Sequence, residues 1–423
     1  MQTTLIFFIN IITLLFSATF ILSSDSYLDY KKNIEEKYRD FNNREFWLKQ
    51  GGDIDKILIT RSEISRINKD IRDIPFSTVD LFTNNFNKKH IKDNIVTNFR
   101  LLIKKRRYLH SDGSPITRET VKKVLRNLHI TNIDNFLQNK LFAVTLKHGY
   151  LRGVPVSGKI IKSKTNTFDR NIETVTHTNE PVRILNISKD GEWYYVASSY
   201  SFGWIEKSSL AIINDLEYFH TFNKNFIILT QNYNELKLGD TLPYIKNIVY
   251  YPSVDGANNL KYVELSKLPT NVYSIGFLDL TRRNIINLIF NIAGTQYAWG
   301  GAEKEWDCSL FIMDLFRCFG INLPRNSQKQ SEILFNYKIP RLSFNRENLI
   351  SKNSIPFLSF LYSKGHIMLY LGTIDGKVYI AHDFIFEDFN RGQLMVTDLD
   401  FKNQDYKKKI CKLIKLIKVL EKS

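Results

Sequence analysis

The stretch Gly294-Thr-Gln-Tyr-Ala-Trp-Gly-Gly-Ala-Glu-Lys-Glu-Trp-Asp-Cys308-Ser309 decides how this chain is read. Gly300 and Gly301 interrupt the backbone, and Asp307 stands where a helix N-cap belongs. A helix follows, with Leu310, Phe311, Leu315, Phe316 and Phe319 facing inward and Gly320 ending it. Cys308 therefore lands in the first turn. There the unpaired backbone N–H groups and the positive dipole end favour a thiolate. A thiolate is what a nucleophilic cysteine needs. The alternative, a buried hydrophobic cysteine, suits Cys318. It suits Cys308 poorly, because Asp307 and Ser309 flank it and glycines precede it.

A nucleophilic thiol needs a base. Gly365-His366-Ile-Met-Leu-Tyr370-Leu-Gly372 alternates as a strand that starts at His366, and the next strand, from Lys377, reaches His382. The two histidines are separated by an even number of positions, so an odd-numbered loop between the strands is expected to bring them to one face. A two-residue Asp375–Gly376 turn would place them on opposite faces and take His382 out of the site. A lone histidine is usually structural, whereas two on successive strands downstream of such a cysteine point to catalysis. No His-Glu-x-x-His and no cysteine pair at zinc spacing occurs, so a metallopeptidase is excluded and neither metal nor cofactor is expected.

Upstream, residues 25–140 read as a polar, helical packing segment. Ser62 is read as the cap of a helix carrying Ile64, Ile67, Ile71 and Ile74, stopped by Pro75. Ser114–Pro115 opens another, with Val121, Val124, Leu125 and Leu128 on one face. His90, His110 and His129 are isolated and read as structural or solvent-facing. From residue 141 the period changes to two. Val182, Ile184 and Leu185 precede the turn Ser188–Gly191, then Trp193–Val196 and Ser201–Ile205 follow. Residues 208–272 repeat the style, with Phe226–Leu229 and Gly239–Pro243. Two small β-barrels are expected, at 141–207 and 208–272.

Composition sets the outer bounds. A chain of 423 residues suggests several domains, and 43% hydrophobic with 13% aromatic residues excludes wholesale disorder. Lys and Arg number 59 against 43 Asp and Glu, a formal charge of +16. The basic residues are scattered and no nucleic-acid signature appears, so nucleic acid is not expected as a partner. The apolar run Leu5 to Leu22 makes residues 1–24 a signal peptide or anchor, through which the chain would be exported and could associate with a membrane. Three cysteines exclude a disulfide scaffold. Cys308 and Cys318 on one helix would stand about 15 Å apart, too far for a bridge spanning about 7 Å. The basic tail from Tyr406 carries Ile410, Leu413, Ile414 and Ile417, either as a membrane-surface helix or as a terminal strand or helix docked on the preceding domain.

Several of these blocks resemble known families. Val182–Leu185, the Asp-Gly turn, Trp193 and Gly203–Trp204 resemble bacterial SH3-like domains. Gly294–Gly301, Asp307–Cys308–Ser309, Leu323-Pro-Arg-Asn-Ser327 through Gln330, and Gly365–Gly372 resemble the NlpC/P60 cell-wall peptidases, with a likeness extending upstream through Thr281–Asn284. The resemblance covers most of residues 50–400. It implies a multidomain α+β protein: a helical N-terminal stabilising region, two SH3-like β-barrels and a papain-like α+β catalytic domain at 273–423. Carried over by motif, Cys308 is the nucleophile, His366 the base and His382 the residue that orients it. Tyr297 lies near the oxyanion, which the backbone N–H of Cys308 also serves. Ser309 joins the substrate-binding group, and Asp307 and Ser327 hold the free amine of a terminal L-alanine. Leu310 replaces a usual glycine, the loop from Tyr297 to Cys308 is one residue short, and Asn326 stands where relatives carry aspartate.

The implied activity is a cysteine endopeptidase cutting γ-D-glutamyl–diamino acid bonds of peptidoglycan stem peptides or muropeptides, in the periplasm or cell envelope of a bacterium. Two alternatives remain at this point: an acyltransferase or amidase on the same Cys–His fold, and a non-enzymatic wall-binding protein.

Overall fold

Thr60 accepts the backbone N–H of Glu63, and Glu63 reaches back to the N–H of Thr60. This reciprocal capping box starts helix α1 (Arg61–Arg72) one residue before Ser62, which lies inside the helix and is not its cap. Helix α2 (Lys88–Phe99) is capped by Asn87. Helix α3 (Arg118–Asn127) is capped by Thr117, so Ser114–Pro115 belongs to the preceding turn. On α3, Val124 is buried but Leu125 is 50% exposed, so the expected apolar face is narrower than its spacing suggested. The computed structural model describes residues 27–50, 52–74, 78–265, 267–333, 335–340, 346–386, 391–401 and 409–416; the leader expected at 1–24 lies outside them. Among the described residues no helix is long and apolar enough to cross a membrane.

The N-terminal helices serve two masters. Ile64, Ile67 and Ile71 of α1 enter the core of the C-terminal domain. Ile91, Ile95 and Phe99 of α2 and Val124 of α3 pack with Trp193, Tyr195 and Trp204 in the first β unit. That unit is a seven-stranded sheet of β1 (Phe142–Thr145), β2 (Tyr150–Arg152), β3 (Ile172–Val175), β4 (Pro181–Ile187), β5 (Trp193–Ala197), β6 (Phe202–Glu206) and β7 (Leu210–Ile213). Its spatial order is β7-β1-β4-β5-β6-β2-β3, antiparallel throughout. A second unit holds β8 (Phe226–Leu229), β9 (Thr241–Ile245), β10 (Ile248–Val254), β11 (Leu260–Glu264) and β12 (Tyr273–Ile275), in the order β11-β10-β9-β8-β12.

In the C-terminal domain, α4 (Arg282–Ile292) and α5 (Cys308–Arg317) share one apolar core with a face of a six-stranded antiparallel sheet. The strands are β13 (Phe335–Lys338), β14 (Ser359–Ser363), β15 (His366–Ile374), β16 (Lys377–Phe386), β17 (Arg391–Asp398) and β18 (Ile410–Lys415), in the order β13-β18-β14-β15-β16-β17. The basic tail therefore supplies an interior strand, with Ile410, Leu413 and Ile414 buried. Both faces of β18 are covered, and residues 410–415 do not form the membrane-surface helix; Ile417 lies outside the described residues.

The three units meet on one imidazole. Fully buried His177, in the loop after β3, bonds Asp240 through Nδ1 and Asp314 through Nε2, both at 2.9 Å. Asp240 precedes β9 and Asp314 lies on α5, so one side chain ties both β units to the helix bearing Cys308. His148 also bonds Asp240, at 2.8 Å, and Trp306 donates to Asp314 at 2.8 Å. Arg317 of α5 donates to Glu180 at 2.6 Å and to the Gly239 carbonyl at 2.8 Å.

Burial is the largest single effect on His177 and opposes its charge, but the Asp314 carboxylate and the hydrogen bonds to Asp240 and Asp314 together outweigh it and the net shift is upward. A raised histidine contributes stability that is fully present below its unfolded value near about 6.5 and is lost as pH rises through its folded value. Burial works to raise Asp240 and Asp314 too, yet the histidines beside them hold both carboxyls low, so that contribution is lost only on acidification. Melting temperature measured from pH 5 to 9 should peak in the mildly acidic range and fall toward pH 9. His177→Asn should lose about 3–5 kcal/mol at pH 6 and flatten the alkaline decline; an unchanged slope in that variant would refute the assignment.

Candidate active site

Cys308 owes its place to Asp307. The Asp307 Oδ1 atom accepts the backbone N–H groups of Ser309 (3.2 Å) and Leu310 (2.9 Å), capping α5 as expected. Upstream, Gly300 and Gly301 have φ of 70° and 82°. A Cβ on Gly300 would strike Ile172 of β3, and one on Gly301 would strike Leu310. The two glycines thus let the loop lie against the first β unit, and the Leu310 side chain occupies the space that a Cβ on Gly301 would need.

The Cys308 thiol donates to the carbonyl of Gly365 at 3.9 Å, and the backbone N–H of Ile367 points back at the sulfur. His366 is thereby bracketed by two contacts to the cysteine. Burial pushes the thiol up to about 12, and the Asp307 carboxylate adds to the rise. The thiolate expected from the helix N-terminus is not the resting form; the same carboxylate that caps the helix opposes it.

The turn between β15 and β16 is the two-residue Asp375–Gly376 connection, with Ile374 opposite Lys377, so the expected odd loop is absent. His382 nevertheless stays in the site. Pairing runs Thr373↔Val378 and Gly372↔Tyr379, then skips to Tyr370↔Ile380. The bulge at Leu371 inserts the extra residue within the strand rather than in the turn, and the parity is restored. His366 Nε2 lies 3.0 Å from His382 Nδ1, and His382 Nε2 lies 3.0 Å from Thr397 Oγ1. The Thr397 hydroxyl donates its one proton to the Asp398 carbonyl at 3.0 Å, so it accepts from His382. His382 Nδ1 then accepts from His366 Nε2–H, which leaves His366 Nδ1 as the basic nitrogen. His382 is fully buried, stacked on Phe384 with ring centroids 4.6 Å apart.

The polar residues beside this pair are distributed differently from the expectation. Asp307 also receives Arg325 through both oxygens, at 3.0 and 2.6 Å, and the Gly300 N–H at 3.1 Å. Burial would raise its carboxyl, but Arg325 holds it below the usual carboxylate value. With both oxygens occupied, Asp307 is a cap and an ion-pair partner, leaving no lone pair directed at a substrate amine. The Ser309 hydroxyl is taken up between Asp307 (3.1 Å) and Arg325 (2.9 Å). Ser327 begins the short helix Ser327–Gln330, buried beside the site, and Asn326 is spent capping that helix. Tyr297 is half-buried, anchored by its N–H to the Gly392 carbonyl at 2.9 Å. Burial raises its phenol, with Asp307, Cys308 and Asp383 contributing, which places it among those groups.

Arg325, Thr397 and Asp383 are site residues that the sequence reading passed over. Arg325 stands in the block Leu323-Pro-Arg-Asn-Ser327, close in sequence to Asp307, which is the one signal for its pairing with an acidic neighbour. Thr397 had no signal, because it meets His382 only across the β16–β17 register. Asp383 is fully buried and neither carboxylate oxygen has a hydrogen-bond partner among the described residues; burial first, then Asp307 and Glu305, drive it well up and keep it neutral. As for metals, His148, His177 and Asp240 are the described group with ligand-like spacing, within 4.8 Å of one another. They belong to the interdomain network, already joined by direct hydrogen bonds.

The first β unit also reaches the rim of the site. Tyr150 accepts the Glu303 N–H at 3.2 Å, and Trp299 donates to the Ile172 carbonyl at 3.2 Å. Phe168 meets Tyr297 edge-on, with centroids 5.9 Å apart.

A family model for NlpC/P60 matches residues 294–402, and one for an SH3 domain of the SH3b1 type matches residues 163–206. The segment expected to be a second SH3 barrel forms a five-stranded antiparallel sheet. No curated protein matches the chain. Among solved structures, an NlpC/P60 endopeptidase from Photobacterium damselae subsp. piscicida is similar at 20% identity, covering 86% of this chain and 94% of that one, with a TM-score of 0.69. An NlpC/P60 family protein from Bacillus cereus is similar at 16% identity over 58% of this chain and 83% of that one, with a TM-score of 0.42. The first likeness supports the multidomain fold, and the domain matches support a cell-wall cysteine peptidase or hydrolase. The chain carries an NlpC/P60 domain at 294–402 behind an SH3 domain of the SH3b1 type at 163–206.

Proposed function

We propose that this chain is an exported cysteine endopeptidase that cuts γ-D-glutamyl–diamino acid bonds in peptidoglycan stem peptides, acting in the cell envelope. The observation that carries the reading is Cys308 at the N-terminus of α5, bracketed by the residues on either side of His366, with His366 linked to His382 and Thr397.

In this reading His366 Nδ1 takes the thiol proton as Sγ attacks the γ-carbonyl carbon. A thiol held near about 12 is not stored as thiolate, so the proton leaves as the C–S bond forms. The carbonyl π electrons move to oxygen, where the Cys308 backbone N–H and the Tyr297 hydroxyl receive the oxyanion. Collapse expels the diamino acid's amine, which takes the proton from His366. Water, deprotonated by His366, then hydrolyses the thioester and frees the cysteine. His382 and Thr397 keep the unprotonated nitrogen of His366 toward sulfur through both steps.

Digestion of L-Ala-γ-D-Glu-diaminopimelate should release L-Ala-D-Glu by mass, and Cys308→Ala should abolish it. Release that persists in the variant would sink the assignment of the nucleophile. No release from protein whose Cys308 alkylates readily would favour acyl transfer to another acceptor; no release with an inert thiol would favour a wall-binding protein.

Thr397→Val removes the acceptor for His382 Nε2–H and should lower kcat about ten- to hundredfold at nearly constant KM, the cost of one unpaired buried donor. Equal kcat in variant and parent would show that the relay does not set the tautomer.

A further inference from the structure

Three arginines approach the site from the boundary between the SH3 domain and the catalytic domain, and two of them are spent. Arg325 is paired with Asp307, and Arg152 with Asp169 at 2.9 Å. Arg170 is not: among the described residues no carboxylate is paired with it. Its guanidinium carbon lies 4.1 Å from the ring centroid of Trp299 and 5.7 Å from that of Phe168. Nη2 donates to the neutral Asn166 side chain at 3.1 Å. Nε is buried and has no partner among the described residues.

The mounting is tied to Tyr297 on the rim of the site. Trp299 is held by its bond to Ile172 yet remains 38% exposed, so Arg170 lies on an open rim. Phe168 contacts Tyr297, and Arg170 itself stands within electrostatic reach of the Tyr297 phenol. A half-buried guanidinium over an indole ring, bonded to one neutral amide and paired with no carboxylate among the described residues, suits a planar anion. Burial pulls its pKa down, so a bound anion would relieve the penalty on its charge.

We infer that Arg170, supplied by the SH3 domain, is a specificity residue that binds the free α-carboxylate of the γ-linked glutamyl residue whose carbonyl Cys308 attacks. The inference rests on the reaction proposed above. A γ-glutamyl bond differs from an ordinary peptide bond in leaving that carboxylate on the acyl side, close to the scissile carbonyl. A cation on the Tyr297 rim reads the one group that marks this linkage. The SH3 domain then takes part in substrate choice as well as in packing.

The test uses the full chain and two substrates, L-Ala-γ-D-Glu-diaminopimelate and the same tripeptide with the glutamyl α-carboxylate converted to its amide. The parent should prefer the acid. Arg170→Gln should lose about ten- to hundredfold in kcat/KM on the acid, chiefly through KM, and little on the amide, as the loss of a charge-assisted bond predicts. Arg170→Lys should recover part of the preference. Because each variant is compared on two substrates, a reduced folded fraction cancels from the ratio. An unchanged acid-to-amide ratio in Arg170→Gln, or equal losses on both substrates, would overturn the inference and show Arg170 to be adhesive between domains. If the parent cleaves neither substrate, the proposed reaction itself fails and the inference falls with it.

Discussion

Everything around the catalytic helix depends on His177 donating to two carboxylates from different parts of the chain. Asp240 and Asp314 are fully buried, and neither could stay ionised there without a cation between them. With His177 charged, Lys237 near Asp314 and Arg317 on Glu180, the buried cations answer the buried anions across three units. Removing either β unit would strand a charge on α5. This is a physical reason for the accessory units to behave as part of the catalytic body rather than as tethered modules.

A second constraint acts at the other end of the same helix. Asp307 must be ionised to cap α5 and to pair with Arg325, yet that charge lies beside Cys308 and disfavours a thiolate. Arg325 compensates in part, since it neutralises the carboxylate that the sulfur feels. The helix dipole alone would have lowered the thiol, but at this position burial and the adjacent carboxylate are the larger effects. In the proposed reaction, activation of Cys308 therefore falls to the histidine relay and to the moment of attack.

Local chemistry was legible wherever a few neighbouring residues settle it. Asp307 as cap, the inward face of Leu310 to Phe316, the strand from His366 and the turn before Trp193 all follow from short-range rules, and the structure has them. The misreadings were also local. Thr60 and Thr117 compete with Ser62 and Ser114 as caps, and only the backbone geometry chooses between hydroxyls a few residues apart. The bulge at Leu371 was invisible because strand parity is counted along the chain, whereas an inserted residue is tolerated or not according to the partner strand. The tail at Ile410 to Lys415 was open to a helix as well as to the docked strand it forms, since a strand covered on both faces carries no period of two.

Short windows of sequence marked the helix from Cys308 and the strands from His366 and Lys377, and brought Cys308, His366 and His382 forward as a set, because an N-cap, glycine breaks and period-two alternation leave local marks. Tertiary structure alone decided what surrounds them. Arg325 against Asp307, Thr397 under His382, His177 between two acids and Arg170 on Trp299 join residues from separate elements. Such pairs are selected by packing and by the cost of leaving a buried charge alone, and neither quantity exists until the chain has folded.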